Sequence, residues 1–268
     1  MLLAKDDSLT SAASGRGGID KKGAEVTDVH TRLLRLALGV EDSRRYWASA
    51  QAPSTAADRV RQAFEERWFG AKSLERVRYL LLSFQARYDA YPNALRALAR
   101  WRAMDLASSR VICHWHLELS DPLYRRFVDE LLGQRRARPD SHVDRHAVLR
   151  WLKAEYPEKW GEATYVQFAS KLLSAALEAG LVSRRDPRAL PLPKVTDAAL
   201  AYLLYLLRET RFAGTLTANP YLRSVGLDED ILAARARTLP GVTVHRMLHL
   251  VDFQWEYSDL AAWGEALG

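Results

Sequence analysis

The stretch "CHWHLELSDP", residues 113 to 122, places the only cysteine of the chain beside two of its seven histidines. Cysteine and histidine in such proximity are the raw material of a zinc site, which takes three or four ligands in tetrahedral array. The local element decides whether they converge. "SDPLYRRFVDELLG" carries a helix start at Ser120 or Asp121, with Pro122 in the first turn and Gly133 as a stop. "DLASSRVICHWHLEL" is then the preceding helix, capped by Asp105 and ending near Leu119. His114 and His116, two positions apart on a helix, are separated by about 200° around its axis and do not share a ligand sphere. Cys113 and His116 fall on one side, but two ligands are too few. Two further pairs, His142 with His146 and His245 with His249, have i, i+4 spacing, yet Val143 and Arg246 stand where the HExxH zinc pattern requires glutamate. No metal and no other cofactor is expected.

Catalytic patterns are equally sparse. The chain has no phosphate-binding glycine loop; the early "GRGG" is neither preceded by a strand nor followed by a periodic helix. It has no GxSxG nucleophile turn. "NPYL" at 219–222 lacks the second proline, and the upstream glycine motif, of a DNA methyltransferase. Asp228, Glu229 and Asp230 suit a helix N-terminus, where the dipole favours negative charge, better than a nuclease cluster. Neither an enzyme nor a small-molecule substrate is expected.

The chain has 268 residues, 48% hydrophobic and 10% aromatic, ample for a folded core. Its longest apolar run, Ala198 to Leu207, has ten residues. A membrane-spanning helix needs roughly 20, so this run is a buried helix and no membrane partner is expected. With no basic-then-apolar leader in "MLLAKDDSLTS" and a single cysteine, a soluble cytoplasmic protein is expected.

Formal net charge is +6, with an isoelectric point near 9.5. The base is concentrated. Asp58 to Arg110 holds eleven Lys and Arg against six Asp and Glu, Leu131 to Arg150 five against two, and Leu181 to Val195 four against one. Tyr221 to Gly268 is acidic, with four against seven. Nearly all the base is arginine, whose forked donors match phosphate.

Residues 1–28, rich in Gly, Ser and charge, read as a disordered tail. Residues 29–138 read as an N-terminal helical domain. Ser54 opens a helix that stops at Gly70, Ser73 opens the next, and Pro92 starts another. Residues 139–268 read as a second helical domain. Thr196 caps its buried apolar helix, Asp228 another, and Ser258 a last short one, while 241–257 is open between strand and helix.

The second domain contains, at about 141–195, the outline of a winged helix. Ser141 caps a helix ended by Pro157, and Thr164 caps a second that runs to Gly180. On that second helix Gln167, Ser170, Lys171 and Ser174 share an arc of about 100° opposite the apolar face. They are of the types that reach base edges and phosphates. "LVS" then reads as a short strand, Arg184, Arg185 and Arg188 as a basic wing, and "ALPLP" as an edge return. Thr164, Gln167, Ser170, Lys171, Ser174, Arg184, Arg185 and Arg188 are the candidate nucleic-acid-binding residues. The competing reading is a protein-docking module.

The stretches "LALGVEDSRRYW", "AFEERWFGAKS", "LSDPLYRRFVDELL" and "SKLLSAALEAGLVS", with "LTANPYLRSVGLDED", resemble the BrxA family of bacterial BREX phage-exclusion systems. The resemblance spans roughly residues 29 to 263 and rests on packing and capping patterns rather than a catalytic signature. It implies a mainly α, NusB-like multi-helix bundle with at most a short β wing. It also implies binding to double-stranded DNA and partnership with other BREX defence proteins, without catalysis. A protein adaptor within the defence complex is the alternative.

The separation of His114 from His116 generates a first prediction. Elemental analysis of the purified chain should find no stoichiometric metal. One zinc per chain, lost in a His116→Ala variant, would overturn this reading of the stretch.

Overall fold

The computed structural model describes residues 23–50, 55–235, 239–247 and 250–267. Its first element, β1 (Gly23–Ala24), falls inside the span expected to be an unstructured tail. Val26 N donates to Leu119 O at 2.8 Å, and the Glu25 carboxylate accepts from Ala213 N at 2.9 Å and from the Tyr221 hydroxyl. Residues 1–22 of that span lie outside the described residues.

Helices follow in close succession: α1 (Arg32–Arg35), α2 (Val40–Ser49), α3 (Ala56–Glu65) and α4 (Leu74–Phe84). Helix α3 takes its cap from Thr55, whose hydroxyl accepts from Asp58 N, and ends before Gly70; the expected Ser54 start lies outside the described residues. Ser73 caps α4 as its spacing predicts, and a π-helical turn, Gln85–Asp89, extends it. Pro92 opens α5 (Pro92–Arg100), Asp105 caps α6 (Leu106–Ser120), and Asp121 caps α7 (Pro122–Arg126). Gly133 does not stop the helix there. A π-helical stretch, Phe127–Leu132, carries it into α8 (Gly133–Arg136).

Next come β2 (His142–Val143), α9 (Arg145–Glu155), α10 (Glu162–Ala179) and β3 (Arg188–Ala189). The cap of α9 is Asp144, not Ser141, because residues 142 and 143 are taken up by β2. The helix α10 starts at Glu162, with Gly161 in the cap position, so Thr164 lies within the first turn. Gly180 ends α10 at φ +80°, a left-handed conformation that glycine adopts without strain. Leu181–Ser183 forms no strand. Instead β3 pairs antiparallel with β2, and "ALPLP" continues as irregular chain beyond Ala189.

Thr196 caps α11 (Asp197–Arg208), whose residues Ala199 to Leu207 are all buried. The strand β4 (Thr210–Arg211) pairs parallel with β1. After α12 (Pro220–Ser224) and α13 (Glu229–Arg235), the segment left open by sequence is a hairpin of β5 (Val242–Met247) and β6 (Leu250–Trp255). His245 lies on β5, and His249 lies outside the described residues. Asp228 accepts from Ile231 N at 2.8 Å, the cap contact expected of it. Asp259, not Ser258, accepts from Ala262 N before α14 (Leu260–Leu267). The fold is therefore mainly α, with short β elements. Among the described residues no helix is long and apolar enough to cross a membrane.

One hydrophobic cluster runs from Leu33 to Trp263, on both sides of the boundary expected at residue 139. The helix α14 packs directly on α5: a Cβ added to Gly264 would lie 2.5 Å from Ala97 Cα, so only glycine allows the two backbones this close.

At the centre lies α6, with twelve of its fifteen residues buried. A helix covered all round must satisfy its polar side chains internally. His114 meets the Tyr124 hydroxyl at 3.0 Å through Nδ1, and Ser224 Oγ at 2.9 Å and Glu118 Oε2 at 3.1 Å through Nε2. Ser224 Oγ lies 3.1 Å from the same Glu118 oxygen. His116 Nε2 meets the Tyr202 hydroxyl at 2.7 Å. Burial pushes His114 and His116 down to about 3, and holds the Glu118 carboxyl well above the usual 4.5. The two histidines thus serve separate hydrogen-bond sets.

Glu118 keeps its proton in the folded chain at pH values where the unfolded chain has lost it. Its contribution to stability is complete below 4.5 and is lost as pH rises towards the folded value. A Glu118→Gln variant keeps the shape and does not titrate. Its stability relative to the parent should rise as pH increases above about 4.5, by at most ~1.4 kcal/mol per pH unit, until the folded carboxyl ionises, read from urea unfolding curves. A difference independent of pH would mean that Glu118 is ionised in the fold.

Candidate nucleic-acid interface

Helix α10 buries Tyr165, Phe168, Ala169, Leu172, Leu173, Ala175, Ala176 and Ala179. Gln167 and Ser174 are left exposed, and Thr164, Ser170 and Lys171 half-buried. The i, i+3, i+4 pattern of the sequence thus places four of the candidate residues on one face, as expected. Ser170 Oγ donates to Val166 O at 3.0 Å within its own helix, leaving its oxygen as an acceptor. Lys171 makes no ion pair among the described residues.

Three of these residues line an open groove of about 400 Å³: Gln167, Ser170 and Lys171, joined by Val166 of the same helix, Leu34 of α1 and Arg145 of α9. No carboxylate lines it. The nearby acids are engaged elsewhere: Asp144 caps α9 through Ala147 N, Glu162 pairs with Lys153 at 2.8 Å, and Glu178 accepts from Gly39 N at 2.8 Å. Ser174 and Thr164 lie on the same helix but outside the groove lining.

The basic turn is built differently from the sequence expectation. Arg184 and Arg185 are exposed and without ion pairs among the described residues. Arg188 belongs to β3, and its Nη1 donates to Ser183 O at 2.9 Å and to Arg184 O at 3.4 Å. Ser183 N donates to Ala189 O at 2.8 Å, closing the turn that holds Arg184 and Arg185 out. The three arginines therefore divide into two outward cations and one that braces the loop.

The stretch from Asp58 to Arg110 contributes less surface charge than its composition suggests. Arg59 pairs with Asp89 at 2.7 Å, Arg61 with Asp58 at 2.9 Å, and Lys72 with Asp42 at 3.0 Å. Arg87 is buried, donating to Ala37 O and Leu38 O. His142, on β2 rather than a helix, lies 2.8 Å from Asp140 and shares no face with His146. Among the described residues no three His, Cys, Asp or Glu are grouped to hold a metal.

Arg145 and Leu34 were not identified from sequence. Arg145 sits in a basic stretch, and a start of α9 at Asp144 would have placed it in the first helical turn. Leu34 is 133 positions from Gln167, and only the packing of α1 on α10 brings it there.

No family model matches the chain, and no curated protein matches it. Among solved structures, an uncharacterized protein from Magnetospirillum magneticum is similar at a TM-score of 0.55 and 14% identity. The match covers 68% of this chain and 97% of that one. At that identity the likeness concerns the fold alone.

The division among the turn arginines is open to measurement. Arg188→Ala should lower unfolding stability by about 1 kcal/mol as its hydrogen bonds to Ser183 and Arg184 disappear. The exposed pair Arg184→Ala and Arg185→Ala should stay within ~0.5 kcal/mol of the parent. Equal losses in denaturant unfolding would remove the distinction.

Proposed function

We propose that the chain is a non-catalytic double-stranded DNA-binding protein that works within a BREX-type phage defence system alongside other BREX proteins. The resemblance to the BrxA family supplies the biological setting. The interface carries the molecular part. Its central observation is that Gln167, Ser170, Lys171 and Arg145 converge on a groove with no carboxylate in its lining. A duplex presents one negative charge per ~1.7 Å of axis, so an uncompensated cationic face is what it rewards. Arg184 and Arg185 extend that face from the turn beyond the C-terminal end of α10. The pairing of β2 with β3 ties the turn to the start of α9, where Arg145 stands, and so supports a winged unit acting as one body.

A second reading is favoured by one feature, the apolar Leu34 and Val166 in the same groove. These suit an acidic protein segment with an apolar anchor, and the chain would then be an adaptor in the defence complex.

A Gln167→Ala and Lys171→Ala double variant separates the two. Both sites lie away from the core, so the variant should melt within a few degrees of the parent. Its affinity for a duplex should fall at least tenfold, about 1.4 kcal/mol, in a shift or anisotropy titration. Normal melting with normal duplex binding would sink the DNA reading of this face and leave the adaptor.

A further inference from the structure

Helix α1 lies between α10 and α4 and touches both. Its residues alternate accordingly. Leu33 and Leu36 are buried, Leu34 faces the α10 groove, and Arg32 and Arg35 are exposed on the side of α4. The Arg35 guanidinium stands 5.5 Å over the Tyr79 ring, and Arg76 Nη1 donates to Arg35 O at 3.4 Å. Arg32 lines a small cleft with Ser83 and Ala86, one turn further along the same α4 side, and with His30 and the buried Asp121. None of Arg32, Arg35 and Arg76 makes an ion pair among the described residues, and all three are exposed.

We infer that Arg32, Arg35 and Arg76 form a second row of phosphate contacts, a ledge beside the α10 groove. The inference rests on the proposed DNA-binding reading and extends it to a part of the surface that the winged unit does not include. The occupant is fixed by charge: three exposed guanidiniums without ion pairs among the described residues stand beside the acid-free α10 groove, and a duplex, with one negative charge per ~1.7 Å of axis, offers phosphates to both. The Tyr79 ring beneath the Arg35 guanidinium restricts that side chain, which lowers the ordering cost of a phosphate contact. The acidic residue nearest in sequence, Glu75, precedes Arg76 on α4 and points some 100° away around the helix.

The test uses the full chain, a 30-base-pair duplex of arbitrary sequence and a titration of salt. In an Arg32→Gln, Arg35→Gln, Arg76→Gln triple variant the slope of log affinity against log salt should become shallower by about 0.9 for each phosphate no longer neutralised, approaching 2.7 in all. Affinity should fall more than tenfold with no sequence dependence. The matching triple Arg→Lys variant keeps the charge and should retain the parent slope. Should the Gln triple fail to fold, the three single Gln variants are read the same way, each expected to reduce the slope by about 0.9. A parent that binds duplex with a slope the ledge variants leave unchanged overturns the ledge alone. A parent that binds no duplex overturns the proposed function, and the ledge with it.

Discussion

A helix buried on every side is the constraint from which the rest of this structure follows. Helix α6 carries His114, His116 and Glu118 into a region without solvent, where an unpaired polar group costs several kcal/mol. Each must find its partner on a surrounding element. Tyr124 comes from α7, Tyr202 from α11 and Ser224 from α12. Trp115 donates to Tyr221 O at 3.0 Å, fixing α12 a second time. At its two ends α6 also binds the chain: Ser108 bonds Thr196 at 2.7 Å, and the Ser120 carbonyl bonds His30 at 2.8 Å. Hydrophobic burial drives these helices together, but it is non-directional. The polar partners choose one arrangement among the many a greasy helix would tolerate.

That choice reaches the surface through half-buried arginines. Arg136 of α8 donates to Ser224 O at 2.9 Å and, at 3.5 Å, to Leu181 O and Pro191 O. The first carbonyl belongs to the partner of His114. The other two flank the basic turn after α10. Arg125 does the same work on the opposite side, joining Glu118 O to Val26 O and so clamping the N-terminal strand. In each case a guanidinium binds backbone carbonyls, which a forked set of five donors does well and an ammonium does poorly. The position of Arg184 and Arg185 is thus set by the same network that holds α6.

What the chain makes legible in advance is what is local. Ser73, Asp105, Asp121 and Thr196 cap the helices expected of them, because capping needs only a side chain and an amide two or three residues on. The exposed face of α10 follows from its period. The expectations that failed had a competitor in the same few residues. Asp144 displaced Ser141 once β2 claimed the intervening positions, and Gly161 displaced Thr164. Gly133 stayed inside a helix because the π-helical stretch before it keeps the chain packed on α12. What stays illegible is distance. His114 finds Ser224 110 positions away, and α10 finds Leu34 across more than a hundred residues. The helical spacing already separates the two histidines as ligands, but only the fold shows their buried hydrogen-bond partners.

The charge balance connects this core to the proposed partner. The formal charge of +6 counts every carboxylate as ionised, while burial holds the Glu118 carboxyl well above its usual range. Arg87 and Arg136 are held against backbone carbonyls, which polarise but do not neutralise them, whereas Arg125 also pairs with Glu25 at 3.8 Å. A charge inside a low-dielectric body is screened less by salt than one in solvent, so these cations still add to the field outside. A surface read only from its exposed residues would underestimate that field. The interior therefore does two things for an anionic partner: it holds α10, α1 and the turn in register, and it supplies part of the long-range attraction that brings a polyanion to them.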